Sequence, residues 1–413
     1  MQNTRISIIT IGNELINGQR IDTNSVWLCR RLSEIGFDVA EKFAVGDDIK
    51  DINECLDFAA AKSGVILITG GLGPTDDDIT REAVAEFCGV ELQFNQELFN
   101  AMSEYFKLRC INMADKNRCQ SFLPATATAL ANSCGTAPGF MIAKHDVKIF
   151  AMPGVPSEMK AMFESGVVPQ LQSLINGKIV VCRKLKCIGI GESSLAEKIG
   201  DIMQRGQNPL VNCTVSNSVI TLYIVAQAKT EQAAFEIADD TVGRLNKLLG
   251  EYVFASGEQE LVDVIARRLL EKSHKLATAE SCTGGLIAKM LTDVAGSSGF
   301  FEYGWVTYSN EAKISQLGVS RQLLNEQGAV CADVVRQMAT GALKQARSDY
   351  AIAISGIAGP TGGSDEKPVG LVYIAVCDKN RCVVEEKMYP AGRDIFRIRT
   401  TTAALDCLRR NFL

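Results

Sequence analysis

Histidine is almost absent from this chain of 413 residues, which contains only His145 and His274. A hydrolase built on the common triad of serine, histidine and carboxylate is therefore disfavoured, and any base must be another residue type. The same scarcity argues against a zinc site with the usual ligand sets. The 14 cysteines form no CxxC pair, and the closest are Cys182/Cys187 and Cys377/Cys382. Most lie in apolar runs, so we predict reduced, buried thiols.

Long apolar runs and concentrated positive charge are also missing. The first apolar stretch covers only about seven residues before Gly12-Asn13-Glu14, which fits neither a signal peptide nor a membrane span. The net charge of −5 and the pI near 5.4 give no electrostatic reason to expect a surface for a nucleic-acid backbone, and no local basic patch stands out in the sequence. We therefore expect a cytoplasmic protein with no membrane partner and no direct contact with nucleic acid.

What is present indicates a folded protein of several domains. Hydrophobic residues make up 46% of the chain and charged residues 22%, as in ordinary globular proteins. The length exceeds what one hydrophobic core usually supports. Changes along the chain in the pattern of predicted strands and helices indicate three domains, at 1–172, 173–252 and 257–413.

The first domain alternates β-branched runs with amphipathic stretches. The pattern predicts strands at 6–12, 65–71 and 148–154, and helices at 22–36 and 79–88. This is typical of a doubly wound, mostly parallel α/β sheet. Each predicted strand ends in a turn that contains glycine, so we expect a ligand site at the carboxyl edge of the sheet.

The other two domains follow different patterns. The central one reads as a small α+β module, with strands at 180–190 and 219–228 and a helix at 230–249, and it is expected to be a spacer or a dimerisation module. The last one reads as an α/β layer. Its predicted elements are helices at 259–272 and 331–347, strands at 275–280, 350–356 and 369–377, and a terminal helix.

Three clusters in the last domain lie at strand ends or in adjoining loops, at 280–285, 307–313 and 355–363. In the first, the hydroxyls of Ser281 and Thr283 precede two glycines and a helix, whose N-terminal N–H groups can hold an anion. The alternative is that one hydroxyl only caps this helix. The third cluster is rich in glycine and resembles a main-chain cradle for phosphate.

The second cluster offers the base that a serine nucleophile needs. Lys313 can accept a proton if burial lowers its pKa towards neutrality, and the Tyr308 phenol can relay or orient that proton. The alternative is structural, with Lys313 as a solvated helix residue and Tyr308 as a half-buried strand residue.

The segments AESCTGG, TYSNEAK, ISGIAGPTGG and KPVG, in this order, resemble the CinA family over essentially the whole chain. The resemblance implies a C-terminal nicotinamide mononucleotide deamidase that needs no cofactor. It makes Ser281 the nucleophile and Lys313 the base, with Tyr308 assisting and with main-chain N–H groups after Ser281 as an oxyanion hole. Whether Ser281 attacks directly or positions a water stays open. The implied substrate contacts are Thr283, Gly284, Gly285, Asn310, Gly356, Ala358, Gly359, Gly362, Gly363 and Arg393.

In the first domain, a glycine-rich turn at 69–75 runs into three adjacent aspartates, Asp76 to Asp78. Carboxylates beside a phosphate cradle repel the ligand unless a divalent cation intervenes, so a metal is expected. The alternative, acidic residues that favour a helix N-terminus, explains one or two of them.

This turn resembles the molybdopterin-binding fold, with Asp78 and Thr80 in its Asp-x-Thr pattern. In the CinA version the resemblance implies hydrolysis of ADP-ribose to AMP and ribose 5-phosphate, with metal ligands Asp48, Asp77 and Asp78. The implied nucleotide contacts are Glu14, Gly70, Gly71, Gly73, Thr75 and Thr80. The alternative is a domain that binds a pterin or nucleotide without turnover, in a protein associated with competence. The resemblance also implies a KH-like central module and a homodimer.

Overall fold

The structure is a computed structural model that describes residues 5–174 and 179–413. These residues form two compact units. The first ends at Cys182 and includes Val225–Ile237, and the second comprises Arg183–Ile224 and Ala238–Leu413. The division into three domains stays a prediction. Within the described ranges, no helix combines the length and the apolar character needed to cross a membrane.

The N-terminal part contains eight strands in the described residues: β1 (Ile6–Ile11), β2 (Val39–Val45), β3 (Val65–Thr69), β4 (Leu92–Phe94), β5 (Phe122–Pro124), β6 (Thr128–Leu130), β7 (Gly139–Lys144) and β8 (Val147–Met152). Its α-helices are α1 (Asn13–Ile16), α2 (Thr23–Glu34), α3 (Ile49–Lys62), α4 (Thr80–Cys88), α5 (Gln96–Leu108), α6 (Pro156–Met162) and α7 (Val168–Gln172).

Six of these strands form one sheet in the order β2-β1-β3-β8-β7-β6. The pairs among β2, β1, β3 and β8 are parallel, while β7 runs antiparallel to both β8 and β6. Alternate residues of β1 pack on opposite faces: Ile8 joins the core under α2 and α6, and Ile9 joins the core under α3 and α4. The predicted doubly wound, mostly parallel sheet is confirmed, while the antiparallel end was not predicted.

The central module contains β9 (Ile179–Ile188), α8 (Glu192–Ile199), β10 (Leu210–Ser216), β11 (Val219–Ala228), α9 (Glu231–Leu249) and β12 (Val253–Ser256). Its four strands form a sheet in the order β10-β11-β9-β12. Helices and strands in this module agree with the predicted α+β pattern.

The C-terminal part contains α10 (Leu261–Glu271), β13 (Leu276–Glu280), α11 (Leu286–Thr292), β14 (Phe301–Val306), α12 (Asn310–Leu317), α13 (Arg321–Gln327), α14 (Ala332–Ala346), β15 (Tyr350–Gly356), β16 (Leu371–Cys377), β17 (Cys382–Met388) and α15 (Arg393–Phe412). Its sheet has the order β14-β13-β15-β16-β17.

This sheet also has helices on both faces. Ile352 of β15 joins the core with α10, α11 and α15, and the next residue, Ala353, joins the core with α12 and α14. Strand β13 lies between two parallel neighbours, β14 and β15. The strand that follows β13 in the chain, β14, lies on one side of it, and the next strand, β15, lies on the other. The carboxyl end of β13 is therefore a topological switch point, which is where open α/β sheets bind ligands.

One prediction about cysteine is wrong. Cys377 and Cys382 pair in register across the β16–β17 hairpin. They form a disulfide there, where the sequence suggested reduced thiols.

Candidate functional site

Ser281 and Lys313 meet at the switch point of the C-terminal sheet. Ser281 follows β13, and Lys313 lies in the first turn of α12, whose N-cap Ser309 accepts a hydrogen bond from the N–H of Ala312. The Lys313 ammonium nitrogen Nζ lies 3.2 Å from Ser281 Oγ. The structure therefore brings the predicted nucleophile and base within hydrogen-bond distance.

Lys313 is fully buried, with none of its surface exposed. Its Nζ donates to the main-chain oxygen of Thr307 at 2.7 Å and lies 3.4 Å from that of Tyr308. These carbonyls fix the side chain without supplying a counter-charge. Burial lowers the pKa of Lys313, because the charged form loses its hydration. The lysine is therefore not the solvated helix residue of the structural alternative.

The N-terminus of α11 is occupied by a carboxylate of the protein itself. Glu280 is buried, and its side chain accepts hydrogen bonds from the N–H groups of Gly285 (2.9 Å), Ile287 (3.1 Å) and Ala288 (2.9 Å). The sequence suggested that these N–H groups bind a ligand anion. They are satisfied by Glu280 instead, so the carboxylate fixes the turn that carries Ser281.

Two N–H groups of the turn that carries Ser281 donate to main-chain oxygens. The N–H of Ser281 donates to Ile354 and that of Gly284 donates to Ser281. Between them, the N–H groups of Cys282 and Thr283 have no main-chain or carboxylate acceptor in the described residues. These two N–H groups are therefore the candidates for the predicted oxyanion hole, which requires donors that a substrate oxygen can reach.

Arg397 of α15 holds this turn from the other side. Its Nη2 and Nε donate to the main-chain oxygen of Thr283 at 2.7 and 3.2 Å. The Thr283 side chain is buried, and its Oγ1 has no hydrogen-bond partner within the described ranges. A residue that the sequence did not suggest therefore holds the Thr283–Gly284 peptide of this turn.

Tyr308 is placed differently from what a proton relay requires. Its side chain is 61% exposed, and its hydroxyl accepts a hydrogen bond from Arg393 Nη2 at 3.1 Å. Arg393 Nη1 also donates to the main-chain oxygen of Gly359 at 3.0 Å. Lys313 contacts the Tyr308 main chain rather than its phenol. Arg393 thus links Tyr308 to the glycine-rich loop at the mouth of the site.

The glycine-rich loop begins where β15 ends, at Gly356. Gly359 and Gly362 have positive φ angles of 72° and 90°, which favour glycine. Ala358 is buried, while Asn310 is exposed at the first position of α12. The loop and α12 therefore both adjoin strands that end at the Ser281 edge.

In the N-terminal sheet, the turn after β3 is held by its own side chains. Asp78 Oδ1 accepts from the N–H of Gly73 at 2.7 Å, and its Oδ2 accepts from the N–H of Thr75 at 2.9 Å. Thr80 Oγ1 donates to the Gly70 oxygen at 2.8 Å. Asp78 and Thr80 thus shape the turn through hydrogen bonds to its main chain.

Buried Arg81, which the sequence did not suggest, completes this clamp. Its guanidinium donates to the main-chain oxygens of Leu72 (2.8 Å) and Gly73 (3.1 Å). With these carbonyls turned towards Arg81, the conformation of the glycine turn is fixed before any ligand arrives.

A cavity of about 580 Å³ lies over this turn. Glu14, Asp47, Asp77 and Asp78 all line it, and Arg20 and Glu158 do so as well. Asp48 does not line it. It is the N-cap of α3 and accepts from the N–H groups of Lys50 and Asp51. Asp47, which was not among the predicted metal ligands, therefore lines the cavity, and the predicted ligand Asp48 does not.

The carboxylates of this cavity suit a cation. Burial raises the pKa of Asp47, and the negative charges of Asp77, Glu14 and Asp78 raise it further. All four donors are oxygens, the type that Mg²⁺ prefers. No set of three or more such side chains in the described residues is arranged to enclose a metal by itself. A cation in this cavity would therefore need further oxygen ligands, such as the phosphate oxygens that commonly bind Mg²⁺.

A smaller recess of about 80 Å³ is lined by the same Glu14 and Arg20. Asn24 of α2 lies in it, and its Nδ2 donates to Thr69 Oγ1 (3.0 Å) and to the Gly154 oxygen (2.8 Å). Its Oδ1 is buried without a hydrogen-bond partner in the described residues. An unsatisfied acceptor is thus available beside the turn, for which the sequence gave no signal.

Both sheets therefore carry a candidate site at their carboxyl edges, one with a serine and a buried lysine and one with a glycine turn and carboxylates. Three family models match the chain: the CinA C-terminal domain at 258–412, a probable molybdopterin binding domain at 7–173 and the damage-inducible protein CinA KH domain at 182–255.

Whole-chain relatives agree with these matches. A putative competence-damage inducible protein of Caldicellulosiruptor saccharolyticus is 42% identical over 407 residues, with 98% of each chain covered. A CinA-like protein of Geobacter sulfurreducens is 40% identical over 411 residues, with 99% of each covered. The chain belongs to the CinA family, and its N-terminal fold is molybdopterin-binding-like.

Among solved structures, a competence/damage inducible protein from Agrobacterium tumefaciens is 43% identical to this chain. The match covers 37% of this chain and 95% of that one, with a TM-score of 0.35.

Proposed function

We propose that the C-terminal domain hydrolyses the carboxamide of nicotinamide mononucleotide, giving nicotinate mononucleotide and ammonia. The observation that carries this proposal is the 3.2 Å contact between Ser281 Oγ and the fully buried Lys313 Nζ. A hydroxyl attacks an amide only when a base removes its proton, and no histidine is needed if a lysine is neutral in the resting site.

In the proposed reaction, neutral Lys313 accepts a proton from Ser281 Oγ or from a water held by Ser281. The oxygen attacks the carboxamide carbon, and negative charge develops on the carboxamide oxygen. The N–H groups of Cys282 and Thr283 stabilise this charge, which for a single oxyanion-hole donor is commonly worth about 3 kcal/mol. The lysine then returns the proton to the leaving amine as the C–N bond breaks and ammonia departs. Where Ser281 is the nucleophile, a water next hydrolyses the acyl-serine ester: Lys313 takes the proton of this water and returns it to Ser281 Oγ, and nicotinate mononucleotide is released.

The phosphate of the substrate is assigned to the mouth of the site. Arg393 supplies a cation there, and the loop from Gly356 to Gly363 supplies main-chain groups. The exposed Asn310 amide and Tyr308 hydroxyl are assigned as further contacts of the substrate. No metal is invoked, since lysine provides the base.

For the N-terminal domain, we propose hydrolysis of ADP-ribose to AMP and ribose 5-phosphate with a divalent cation. The negative charges of Asp77 and Glu14 act on Asp47 in a cavity of about 580 Å³, and this favours metal-dependent hydrolysis over pterin binding, because a cation would neutralise these charges. These carboxylates would hold the ion, and the ion would neutralise the negative charge of the pyrophosphate that opposes attack by a nucleophile. The free Asn24 Oδ1 would accept a ribose hydroxyl.

Binding of a pterin or a nucleotide without turnover is the alternative for this domain. Under either proposal, the glycine turn that Arg81 and Asp78 fix would serve as the phosphate cradle. We also propose, as the sequence suggested, that the protein works in the cytoplasm as a homodimer on small nucleotides; sedimentation of the purified chain tests the assembly.

The test incubates the full chain with nicotinamide mononucleotide in the presence of a chelator and measures ammonia and nicotinate mononucleotide. Nicotinamide riboside, which lacks the phosphate, is the matched substrate and should react at least about tenfold more slowly. A parallel incubation with ADP-ribose and Mg²⁺ should yield AMP only without the chelator. Absence of ammonia would refute the deamidase proposal. AMP formation that continues in the presence of the chelator would refute the role of a metal in ADP-ribose hydrolysis.

A further inference from the structure

A further cavity, of about 390 Å³, lies within the second unit between the end of β9, strand β17 and helix α15. None of the side chains that line it belongs to the two sites described above. Its walls include Gly189 to Gly191 from the segment after β9 and Tyr389 from the end of β17. Its volume falls within the range of small-molecule pockets.

Most charges around this cavity are already paired. Arg410 Nε donates to Asp406 Oδ2 at 2.8 Å, and Arg410 Nη2 donates to Glu385 Oε1 at 2.9 Å. Lys387 Nζ lies 3.2 Å from Glu385 Oε2. Two carboxylates are thus balanced by these two cations.

Arg399 is different. It lines the cavity from α15 and is half-buried. Among residues 5–174 and 179–413, no carboxylate or main-chain oxygen pairs with its guanidinium. A planar guanidinium without a partner presents donors that match a carboxylate or a phosphate in two-point geometry. The cavity therefore has an available positive charge on one wall.

One further carboxylate, Glu192 at the start of α8, lines the cavity and accepts from the Cys213 thiol at 3.8 Å. The rest of the surface is apolar or carries neutral hydroxyls. Ile188, Ile190 and Ile220 contribute aliphatic groups. Burial raises the pKa of Tyr389, and the charge of Glu385 raises it further, so the phenol keeps its proton and can donate it in a hydrogen bond. A ligand here meets a cation, a hydroxyl donor and an aliphatic wall.

We propose that this cavity is a binding site for a small organic anion, with its phosphate or carboxylate on Arg399 and a flat or apolar body against Ile190 and Ile220. Arg399 supplies the charge recognition and Tyr389 a second donor. The paired Arg410 and Lys387 keep Glu385 and Asp406 from repelling the anion. This site is separate from both proposed activities and does not depend on either.

The test uses the full chain and two fluorinated probes that share a ring and differ in the anion, 4-fluorophenyl phosphate and 4-fluorobenzoate, followed by fluorine NMR. The neutral 4-fluorobenzyl alcohol controls for the ring, and inorganic phosphate controls for the charge. At least one ring-bearing anion should bind with a Kd of about 1 mM or lower, and more tightly than either control. The stronger of the two identifies the preferred anionic group.

Arg399→Gln should weaken that probe at least about tenfold, since a charge-assisted contact is lost. Arg336→Gln, at an exposed arginine of α14, is the matched control and should bind like wild type. Ala403→Leu narrows the cavity while leaving Arg399 in place and should also weaken binding. The proposal is overturned if neither anion binds, or if both cavity variants, shown to be folded by their unfolding curves, bind like wild type.

Discussion

The Lys313 ammonium nitrogen lies 3.2 Å from Ser281 Oγ, although 32 positions separate the two residues in the chain. The pairing follows from topology. Ser281 follows β13, the second strand of its sheet, and Lys313 lies in the first turn of the helix after the adjacent parallel strand β14. Parallel strands deliver both residues to the same edge, and burial makes the lysine a candidate base.

The lowered pKa of Lys313 has a defined effect on the pH dependence of stability. Between the lowered folded pKa and the ordinary unfolded value, the unfolded chain binds more protons, so stability rises with pH. We expect the free energy of unfolding of wild type relative to Lys313→Met to increase as the pH rises towards the ordinary lysine pKa of about 10. Urea unfolding at several pH values measures it. A difference that stays flat or falls would contradict the lowered pKa.

Glu280 should stabilise the folded protein as well as position the turn that carries Ser281. Glu280→Ala leaves three N–H groups of the α11 turn without their acceptor and should cost roughly 3 kcal/mol in the free energy of unfolding. Glu302→Ala removes a partly exposed carboxylate of the same domain, paired with Lys275 at 3.6 Å, and should cost less than about 1 kcal/mol. Equal losses in the two variants would show that Glu280 has no such role.

Much of the fold follows from periodicity, because buried parallel strands need continuous apolar residues and amphipathic helices must cover them. The sequence could not show what the helix N-terminus after Ser281 contacts. Two glycines opening a helix predict an anion, and the anion is Glu280, five residues before Gly285. A carboxylate of the protein and a bound ligand satisfy the same N–H groups.

The two aspartates after β2 illustrate a second limit. Asp47 and Asp48 have the same side chain and adjacent positions, yet one lines the cavity and the other caps α3. Which of them enters a site depends on where the helix begins, and predicted boundaries are uncertain by more than one residue. Arg81 and Arg397 were missed because each acts on main-chain oxygens, which no sequence motif reveals.

This difference between the aspartates can be measured. Asp47→Asn should lower ADP-ribose hydrolysis at least about a hundredfold if a cation is held there, because a charged donor is lost. Asp48→Asn should stay within about threefold, since asparagine is an equally good N-cap. The AMP formed per minute compares them. The reverse order would return the metal site to Asp48.

Tyr308 should affect binding of the substrate more than its conversion. In Tyr308→Phe, Arg393 loses its contact with the hydroxyl, and we expect KM to rise about tenfold while kcat changes little. Tyr303→Phe changes another exposed phenol of this region and should leave both constants unaltered. Steady-state kinetics decides, and a large fall in kcat at constant KM would instead support a proton relay through the phenol.

The most direct test of the central claim is the rate of ammonia release from nicotinamide mononucleotide by Ser281→Ala and Lys313→Met. The matched controls are Ser315→Ala, at an exposed hydroxyl of α12, and Lys344→Met, at an exposed lysine of α14. Loss of nucleophile or base should each lower kcat by roughly a thousandfold or more, with no further loss in the double variant because the two act as a unit. The controls should match wild type. Near wild-type ammonia release by either folded site variant would contradict the account.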